Sequence, residues 1–372
     1  MEVDPSFVPY RLAALHLRKQ LEDAGMPMPV VGIICGSGLS ELSNTLTGET
    51  LTVPYGSVPG FPDHCSVEGH KGEMVFGNME STKSLSSPRK NSLKETVGTP
   101  TVCFRGRFHS YEGHDIDTVV LPVRVMRCLG VKILLVTNAA GGLNASYKVG
   151  DVVPISNHFC LPMLAGAKNP LVGPNDDELG PRFPPTSNAY DQNLLDHVSV
   201  AANLLSMEDF VLSKTGTYCF VSGPMYESRA ECKFLQGIGG DVVGMSSMPE
   251  VVTAHHSGMK ILCLSLVTNK VVITGDEGPA ASHQEVLDAV KTRSVQIQAL
   301  VKEIIGLLQS NGTLANLPPL PPITLHVKAK KENRGKHNCS SSSIFGIPTH
   351  CIVRGLAYVG IGALLGVAIA KR

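Results

Sequence analysis

The sequence lacks the features of several protein classes. Lys plus Arg and Asp plus Glu both total 32, so no basic surplus is available to neutralise a nucleic-acid backbone. None of the ten cysteines forms a C-x-x-C pair, and several lie in apolar runs, such as Cys35 and Cys263. We interpret them as reduced core thiols of an intracellular protein, not as a disulfide or zinc framework. The first 25 residues carry charge throughout and predict an amphipathic helix ending at Gly25, not a signal peptide.

What is present is an alternation of short β-branched runs with segments of helical periodicity. The 372 residues are 43% hydrophobic, which is ample for a large core. The predicted strands are Val30–Cys35, Thr101–Phe104, Val131–Thr137, Asp151–Ser156, Thr217–Val221, Asp241–Val243 and Lys260–Val267. The predicted helices are Ile116–Leu129, Tyr190–Leu205, Glu227–Gln236, Pro249–His256 and Ser282–Gln309. This pattern predicts one α/β domain over residues 1–310, with a sheet covered by helices on both faces.

Three segments fall outside this alternation. Residues 81–99 are polar, basic and aperiodic, so we predict a flexible surface insertion in the hairpin that leads to Arg107. Residues 311–354 are rich in proline, lysine and serine and predict a disordered linker. The uncharged run that follows, within residues 355–372, is short for a bilayer span. Two interpretations of this hydrophobic tail remain open: a C-terminal membrane anchor, or a disordered or packed glycine-rich end.

The glycine turn at residues 36–38 raises the question of which anion it binds. A dinucleotide fingerprint requires G-x-G-x-x-G, and the third glycine position is Glu41, whose carboxylate would face the pyrophosphate. A strand-to-helix turn with exposed backbone N–H groups and the Ser37 hydroxyl suits a single small anion better. An ordinary tight turn is the competing interpretation.

A second anion-binding pattern follows the strand TVCF. In the extended stretch GRFHSYEG, residues 106–113, Arg107 and His109 are two residues apart and share a face. A guanidinium and an imidazole on one side suit a phosphate, although such a pair also occurs in surface salt bridges.

Further polar or small-residue loops follow other strands. They are AAGG within residues 134–144, GPMYES at 223–228, GMSSMPEV at 244–251 and SLVTNK at 265–270. Open α/β sheets place their sites at the carboxyl ends of strands, where small residues let a ligand approach the backbone. Four such loops together favour a site over four ordinary turns.

Taken together, these motifs resemble the purine nucleoside phosphorylases of the trimeric, animal type. GSGL at 36–39, GRFHSYEG, VTNAAGGLN at 136–144, GPND at 173–176, RFPPTSNAYD at 182–191, GPMYES, VGMSSMPEV and VTNK follow the family's order over about residues 5 to 310. The resemblance implies a single three-layer domain with a mixed central sheet flanked by helices. It also implies purine salvage by reversible phosphorolysis of 6-oxopurine (deoxy)ribonucleosides, such as inosine and guanosine, to the free base and (deoxy)ribose 1-phosphate.

The resemblance assigns a role to residues matched motif by motif. The expected phosphate ligands are Ser37, His70, Arg107, His109, Ala139 and Ser246. The expected nucleoside contacts are Tyr111, Tyr226, Glu227, Val243, Met245, Asn269, His283 and, from a neighbouring subunit, Phe183. Glu227, Asn269 and His283 are the expected catalytic residues, and orthophosphate is a co-substrate with no cofactor or metal. A Ser-x-x-Glu capping box at residues 282–285 places His283 in the first turn of the last helix.

Asn269 favours 6-oxopurines, since relatives that cleave methylthioadenosine carry an acidic residue there. A methylthioadenosine phosphorylase is therefore the alternative enzyme, and a catalytically silent, nucleoside-binding or membrane-tethered homologue is the alternative outside the enzymes. The resemblance further implies a cytoplasmic homotrimer that binds no nucleic acid.

Overall fold

The computed structural model describes residues 9–36, 38–63, 65–67, 69–80, 98–271 and 282–325, with only the backbone of His283. A nine-stranded sheet forms its centre. The strands are β1 (Val31–Ile34), β2 (Leu46–Pro54), β3 (Glu73–Met79), β4 (Thr99–Arg105), β5 (Ile133–Gly142), β6 (Val152–Cys160), β7 (Gly216–Phe220), β8 (Val242–Gly244) and β9 (Lys260–Lys270). Their order is β2-β3-β4-β1-β5-β8-β7-β6-β9, and β5 also pairs with β9.

The sheet is mixed and partly closed on itself. β4, β1, β5 and β9 pair in parallel, so their carboxyl ends lie at one edge. Because β5 pairs with both β8 and β9, and β6 and β7 lie between those two strands, the pairings of these five strands form a ring. The prediction of an α/β fold with a mixed sheet is confirmed.

Helices cover both faces of the sheet, as predicted. They are α1 (Pro9–Asp23), α2 (Ile116–Leu129), α3 (Leu161–Leu164), α4 (Gln192–Leu205), α5 (Arg229–Gly237), α6 (Met248–His256) and α7 (His283–Ser310). One apolar core packs α1, α2 and α6 against the sheet, and a second packs α4 and α7. Capping sets several helix starts: Asp191 accepts a hydrogen bond from Leu194 N–H, so α4 begins two residues after the predicted Tyr190.

All seven predicted strands are present, whereas β2 and β3 were not predicted. β2 is largely exposed and contains no continuous apolar run, so it gives no core signal. β3 pairs antiparallel with β4, with Met79 opposite Thr99. The predicted insertion thus joins two paired strands, but Thr99 itself belongs to β4 and is buried. Residues 81–97 lie outside the described residues.

Residues 311–325, which we call the carboxy-terminal strap, pack against the domain. Arg127 donates a hydrogen bond to the Pro321 carbonyl at 2.6 Å, and Thr324 donates its hydroxyl to Glu178 at 2.7 Å. Leu325 is buried in the core that holds α1 and α2. The structure therefore differs from the predicted disordered linker in its first 15 residues. Apolar residues adjacent to the prolines, Leu320 and Ile323, pack against that core and anchor the strap.

The rest of the predicted linker and the hydrophobic tail, residues 326–372, lie outside the described residues. Within the part of the chain that the structure describes, no helix is both long and apolar enough to cross a bilayer. The predicted membrane anchor remains a prediction.

The strap should contribute measurably to stability. A chain ending at Ser310 should have a free energy of unfolding lower by at least about 2 kcal/mol than a chain ending at Leu325, because burying one leucine side chain contributes roughly 1.5–3 kcal/mol. Urea denaturation of the two truncated chains measures the difference. Equal midpoints would show that the strap contacts contribute nothing.

Candidate active site

A cleft lies where the carboxyl ends of β4, β5, β8 and β9 meet. About 720 Å³ of space, part of it open to solvent, lies between its walls. Its wall is built from the loop after β4, the last residues of β5 and β9, the β8–α6 turn, the segment before α5 and the start of α7. The lining residues are Val67, Arg107, His109, Tyr111, Ala139, Ala140, Gly141, Tyr226, Glu227, Val243, Gly244, Met245, Ser246, Thr268, Asn269 and Val286.

Arg107 is buried at one end of the cleft, and every nitrogen of its guanidinium has an acceptor. Nε donates to Glu250 Oε1 at 3.1 Å, and Nη1 donates to the hydroxyls of Ser246 and Ser247 at 3.1 and 3.3 Å. Nη2 donates to the backbone carbonyls of Thr137 and Ile34 at 2.8 and 3.4 Å. The planar fork is thus fixed in one orientation, with Nη1 beside Ser246.

The turn between β8 and α6 holds Ser246 in the cleft wall. Ser247 has φ 69°, a left-handed conformation that is uncommon outside glycine. Its hydroxyl accepts a hydrogen bond from Asn138 Nδ2 at 3.0 Å. The Ser246 N–H donates to the buried Tyr218 hydroxyl at 3.4 Å. These contacts fix the turn from two sides and present the Ser246 hydroxyl to Arg107.

His109 stacks between two other rings at the same end of the cleft. Its ring centroid lies 5.3 Å from that of His70 and 4.5 Å from that of Tyr111. His109 Nδ1 lies 3.0 Å from Glu112 Oε2. A carboxylate only accepts hydrogen bonds, so Nδ1 carries the proton and Nε2 is the ring nitrogen left for a ligand.

The electrostatics of this end keep both imidazoles neutral near neutral pH. Burial lowers the pKa of His70 to about 3 and also lowers the pKa of His109. Burial by itself would raise the pKa of Glu112, but hydrogen bonds from His109 and Ser66 outweigh it and bring that pKa to about 2. Glu112 is therefore a carboxylate that orients His109.

A β-bulge positions Asn269 at the other end of the cleft. Ala140 pairs with Val267 and Gly141 with Asn269, so Thr268 is the extra residue of β9. The buried Thr268 hydroxyl lies 3.2 Å from Asn269 Oδ1 and 3.3 Å from the Ala140 carbonyl, and both are acceptors for its one proton. Oδ1 is thus the amide atom beside Thr268, and Nδ2 is the amide atom that is left for a ligand.

Glu227 and Tyr226 lie just before α5 and line the same end. Helix α5 begins at Arg229 because Ser228 caps it, so Glu227 is outside the helix, contrary to the predicted start. Burial raises the pKa of Glu227, and the nearby Glu231 adds to the rise. A half-buried carboxyl group here is suited to accept hydrogen bonds from a bound ligand.

Two glycines allow the loops at the Arg107 end of the cleft to approach each other. Gly106 has φ 120°, and a Cβ there would lie 2.7 Å from His70 Cβ. Gly69 has φ 87°, and a Cβ there would lie 3.0 Å from the Gly38 nitrogen. The loop that carries His70 therefore reaches the glycine turn at residues 36–38 only because neither position has a side chain.

The structure brings most of the predicted site residues together. Those that line the cleft are Arg107, His109, Tyr111, Ala139, Tyr226, Glu227, Val243, Met245, Ser246 and Asn269. His70 contacts the cleft through His109, and His283 lies in the first turn of α7, whose Val286 lines the cleft. Phe183 is 86% exposed, so it is not part of this cleft within its own chain. Ser37 and the side chain of His283 lie outside the described residues.

Sequence reasoning missed several residues that support the site. Glu250, Glu112 and Tyr218 each hold a predicted ligand in place, and Thr268 orients Asn269. Glu112 and Thr268 are close in sequence to the residues they hold, at spacings of three and one, so a capping-box pattern at 109–112 could have revealed the first. Glu250 is 143 residues from Arg107, and no local pattern signals that contact.

Comparison with known proteins identifies the family of the chain. The family model of the phosphorylase superfamily matches residues 30–306. Bovine purine nucleoside phosphorylase is 39% identical over 284 residues, which cover 76% of this chain and 91% of the relative. The Saccharomyces cerevisiae purine nucleoside phosphorylase is 41% identical over 289 residues, covering 74% and 86%. The chain belongs to the purine nucleoside phosphorylase family.

A solved structure of a family member has the same fold. The Schistosoma mansoni purine nucleoside phosphorylase in complex with inosine superposes with a TM-score of 0.70 at 40% identity, covering 83% of this chain and 96% of that one. The predicted family resemblance is confirmed.

The Glu112–His109 contact should make stability depend on pH. Because the pKa of Glu112 is depressed in the folded purine nucleoside phosphorylase domain, its contribution is present above the unfolded value of about 4.3 and is lost as the pH falls towards about 2. Glu112→Gln should thus be less stable than wild type at pH 7, and the difference should shrink below pH about 4.

Urea denaturation at several pH values measures this difference. Glu49→Gln, at an exposed position on β2, is the matched control and should change stability little at any of them. A Glu112→Gln difference that stays constant with pH would contradict the assignment.

Proposed function

We propose that the cleft catalyses the reversible phosphorolysis of 6-oxopurine ribonucleosides and deoxyribonucleosides. The observation that supports the proposal is that one cleft brings the hydrogen-bond donors of Arg107 and Ser246 together with the side chains of Glu227 and Asn269. Phosphate and nucleoside would then lie side by side. The products are the free base and (deoxy)ribose 1-phosphate.

Orthophosphate occupies the end of the cleft that contains Arg107. The Ser246 hydroxyl, the Ala139 N–H and Nη1 of Arg107 donate to its oxygens, with Nη1 sharing its two N–H groups between the anion and the hydroxyls of Ser246 and Ser247. Ser37 and His70 are the remaining expected ligands. Neutral His109 accepts at Nε2 from the single O–H of hydrogen phosphate, because Nδ1 is held by Glu112. Fixing the nucleophile in this way is an orientation effect that reaches about 7–11 kcal/mol in well-aligned systems.

In the reaction, a phosphate oxygen forms a bond to C1′ while the bond from C1′ to N9 breaks and its electron pair passes to the purine. The sugar gains positive charge in the transition state, and the adjacent phosphate offsets it. The Asn269 amide donates to N7, where negative charge gathers, so its contact strengthens as the bond breaks. Glu227 accepts N1–H of hypoxanthine or guanine, whereas adenine presents a lone pair there.

The sugar lies between the two ends. Tyr111, Val243 and Met245 line this part of the cleft, and Tyr226 stacks on the base. The family resemblance assigns contact with the 5′-hydroxyl to His283, whose backbone lies in the first turn of α7. Phe183 is exposed on its own chain and completes the site of a neighbouring copy in a homotrimer.

The decisive experiment measures hypoxanthine release from inosine with and without phosphate. Release should require phosphate and yield ribose 1-phosphate in equal amount. Methylthioadenosine and adenosine, as parallel substrates, test the alternative enzyme. Base release at the same rate without phosphate, or no release at all, would refute the proposal.

Asn269→Asp should move the preference from 6-oxopurines towards 6-aminopurines. The carboxylate accepts a hydrogen bond from an exocyclic amino group but repels a 6-oxo oxygen, and such a polar exchange in a binding pocket can shift selectivity by about 10-fold or more. The ratio of inosine to adenosine cleavage rates measures the shift. Asn193→Asp, on the exposed face of α4, is the control and should leave the ratio unchanged. An unchanged ratio in Asn269→Asp would contradict the role of Asn269.

A further inference from the structure

Glu250 is a buried carboxylate outside the set of residues that contact the nucleoside or phosphate in the proposed reaction. It lies in the first turn of α6 with 2% of its side chain exposed, and Oε1 accepts from Arg107 Nε at 3.1 Å. Oε2 is also buried and has no hydrogen-bond partner among the described residues. Burial raises the pKa of Glu250, and the neighbouring Arg107 opposes that rise.

Burying the Glu250–Arg107 ion pair costs free energy of hydration, so the pair is a poor way to stabilise the fold. A buried ion pair loses hydration that its attraction often only just repays, so the pair is weak evidence for a stabilising role. The role of the ion pair is therefore to be found in its effect on the orientation of the Arg107 guanidinium. Nε donates to the Glu250 carboxylate and Nη2 to the Thr137 and Ile34 carbonyls, so Nη1, which contacts the hydroxyls of Ser246 and Ser247, is the nitrogen on the cleft side.

We propose that Glu250 is a positioning residue for phosphate, which fixes the Arg107 guanidinium so that its Nη1 edge faces the anion. The inference rests on the proposed phosphorolysis and deepens it. Glu250 also offsets the charge of Arg107, and Glu112 is a carboxylate beside a neutral His109. Phosphate is therefore held by the direction of the hydrogen bonds more than by an excess of positive charge.

Two conservative variants separate position from charge. Glu250→Asp keeps the charge but shortens the side chain by one methylene, so the carboxylate no longer reaches Nε. Glu250→Gln keeps the reach and an amide oxygen for Nε but removes the charge. If position matters, Glu250→Asp should raise the KM for phosphate about tenfold or more, and Glu250→Gln should not, since hydrogen bonds to charged groups are worth about this much.

The KM for inosine is the second readout, because a variant with general damage to the site would change it as well as the KM for phosphate. It should stay close to the wild-type value in both variants, because Glu250 acts at the phosphate end. Glu231 occupies the same third position of helix α5, where it completes a capping box, so Glu231→Asp is the matched control and should leave the phosphate KM unchanged. Thermal unfolding of each variant checks that it is folded.

The outcomes distinguish this inference from the proposed function. If the wild-type protein fails to release hypoxanthine from inosine, the proposed function fails first. If the wild type is active and Glu250→Asp leaves the phosphate KM unchanged, the positioning role is wrong and the reaction stands. If Glu250→Gln raises the phosphate KM as much as Glu250→Asp, the charge of Glu250 is what matters, and the positioning role is equally overturned.

Discussion

The buried guanidinium of Arg107 joins parts of the chain that lie far apart in sequence. Its acceptors come from the end of β1, the middle of β5, the β8–α6 turn and the first turn of α6, and Arg107 itself follows β4. A guanidinium stays charged at any pH that a folded protein tolerates, so each of its N–H groups needs an acceptor once it is buried. The strands of the sheet, the β8–α6 turn and the first turn of α6 together supply these acceptors.

The charges around the cleft follow from the same constraint. Two carboxylates, Glu250 and Glu112, lie behind the groups that would touch phosphate, and burial keeps His70 and His109 neutral. A site with little net positive charge binds a dianion through directed donors, and it releases a charged product more readily than a strongly cationic site would. This arrangement suits a reaction that runs in both directions, with phosphate on one side and a sugar phosphate on the other.

The sequence predicted the core strands and the strand-end loops because both leave local signals. Continuous apolar runs predicted β1, β5 and β9, and polar or glycine-rich loops at their carboxyl ends predicted where the cleft lies. β2 was missed because its residues are mostly exposed, and the strap was predicted as a linker because prolines dominate its composition. Contacts between distant residues, such as Arg107 with Glu250, and the bulge at Thr268 depend on how strands pair, which no short pattern records. The family resemblance supplied the expected ligands but not the residues that hold them in place.

The residue at position 247 affects both the backbone conformation and the side-chain contacts of the β8–α6 turn. A left-handed backbone costs a residue other than glycine about 1–3 kcal/mol, and glycine would adopt φ 69° without that strain. Glycine, however, would remove the hydroxyl that lies between Arg107 and Asn138. At this position the backbone conformation favours glycine, whereas the side-chain hydrogen bonds require a hydroxyl group. Serine is the residue present. Ser247, which has the unfavourable backbone conformation, is therefore also the residue whose hydroxyl connects Arg107 to Asn138 of β5.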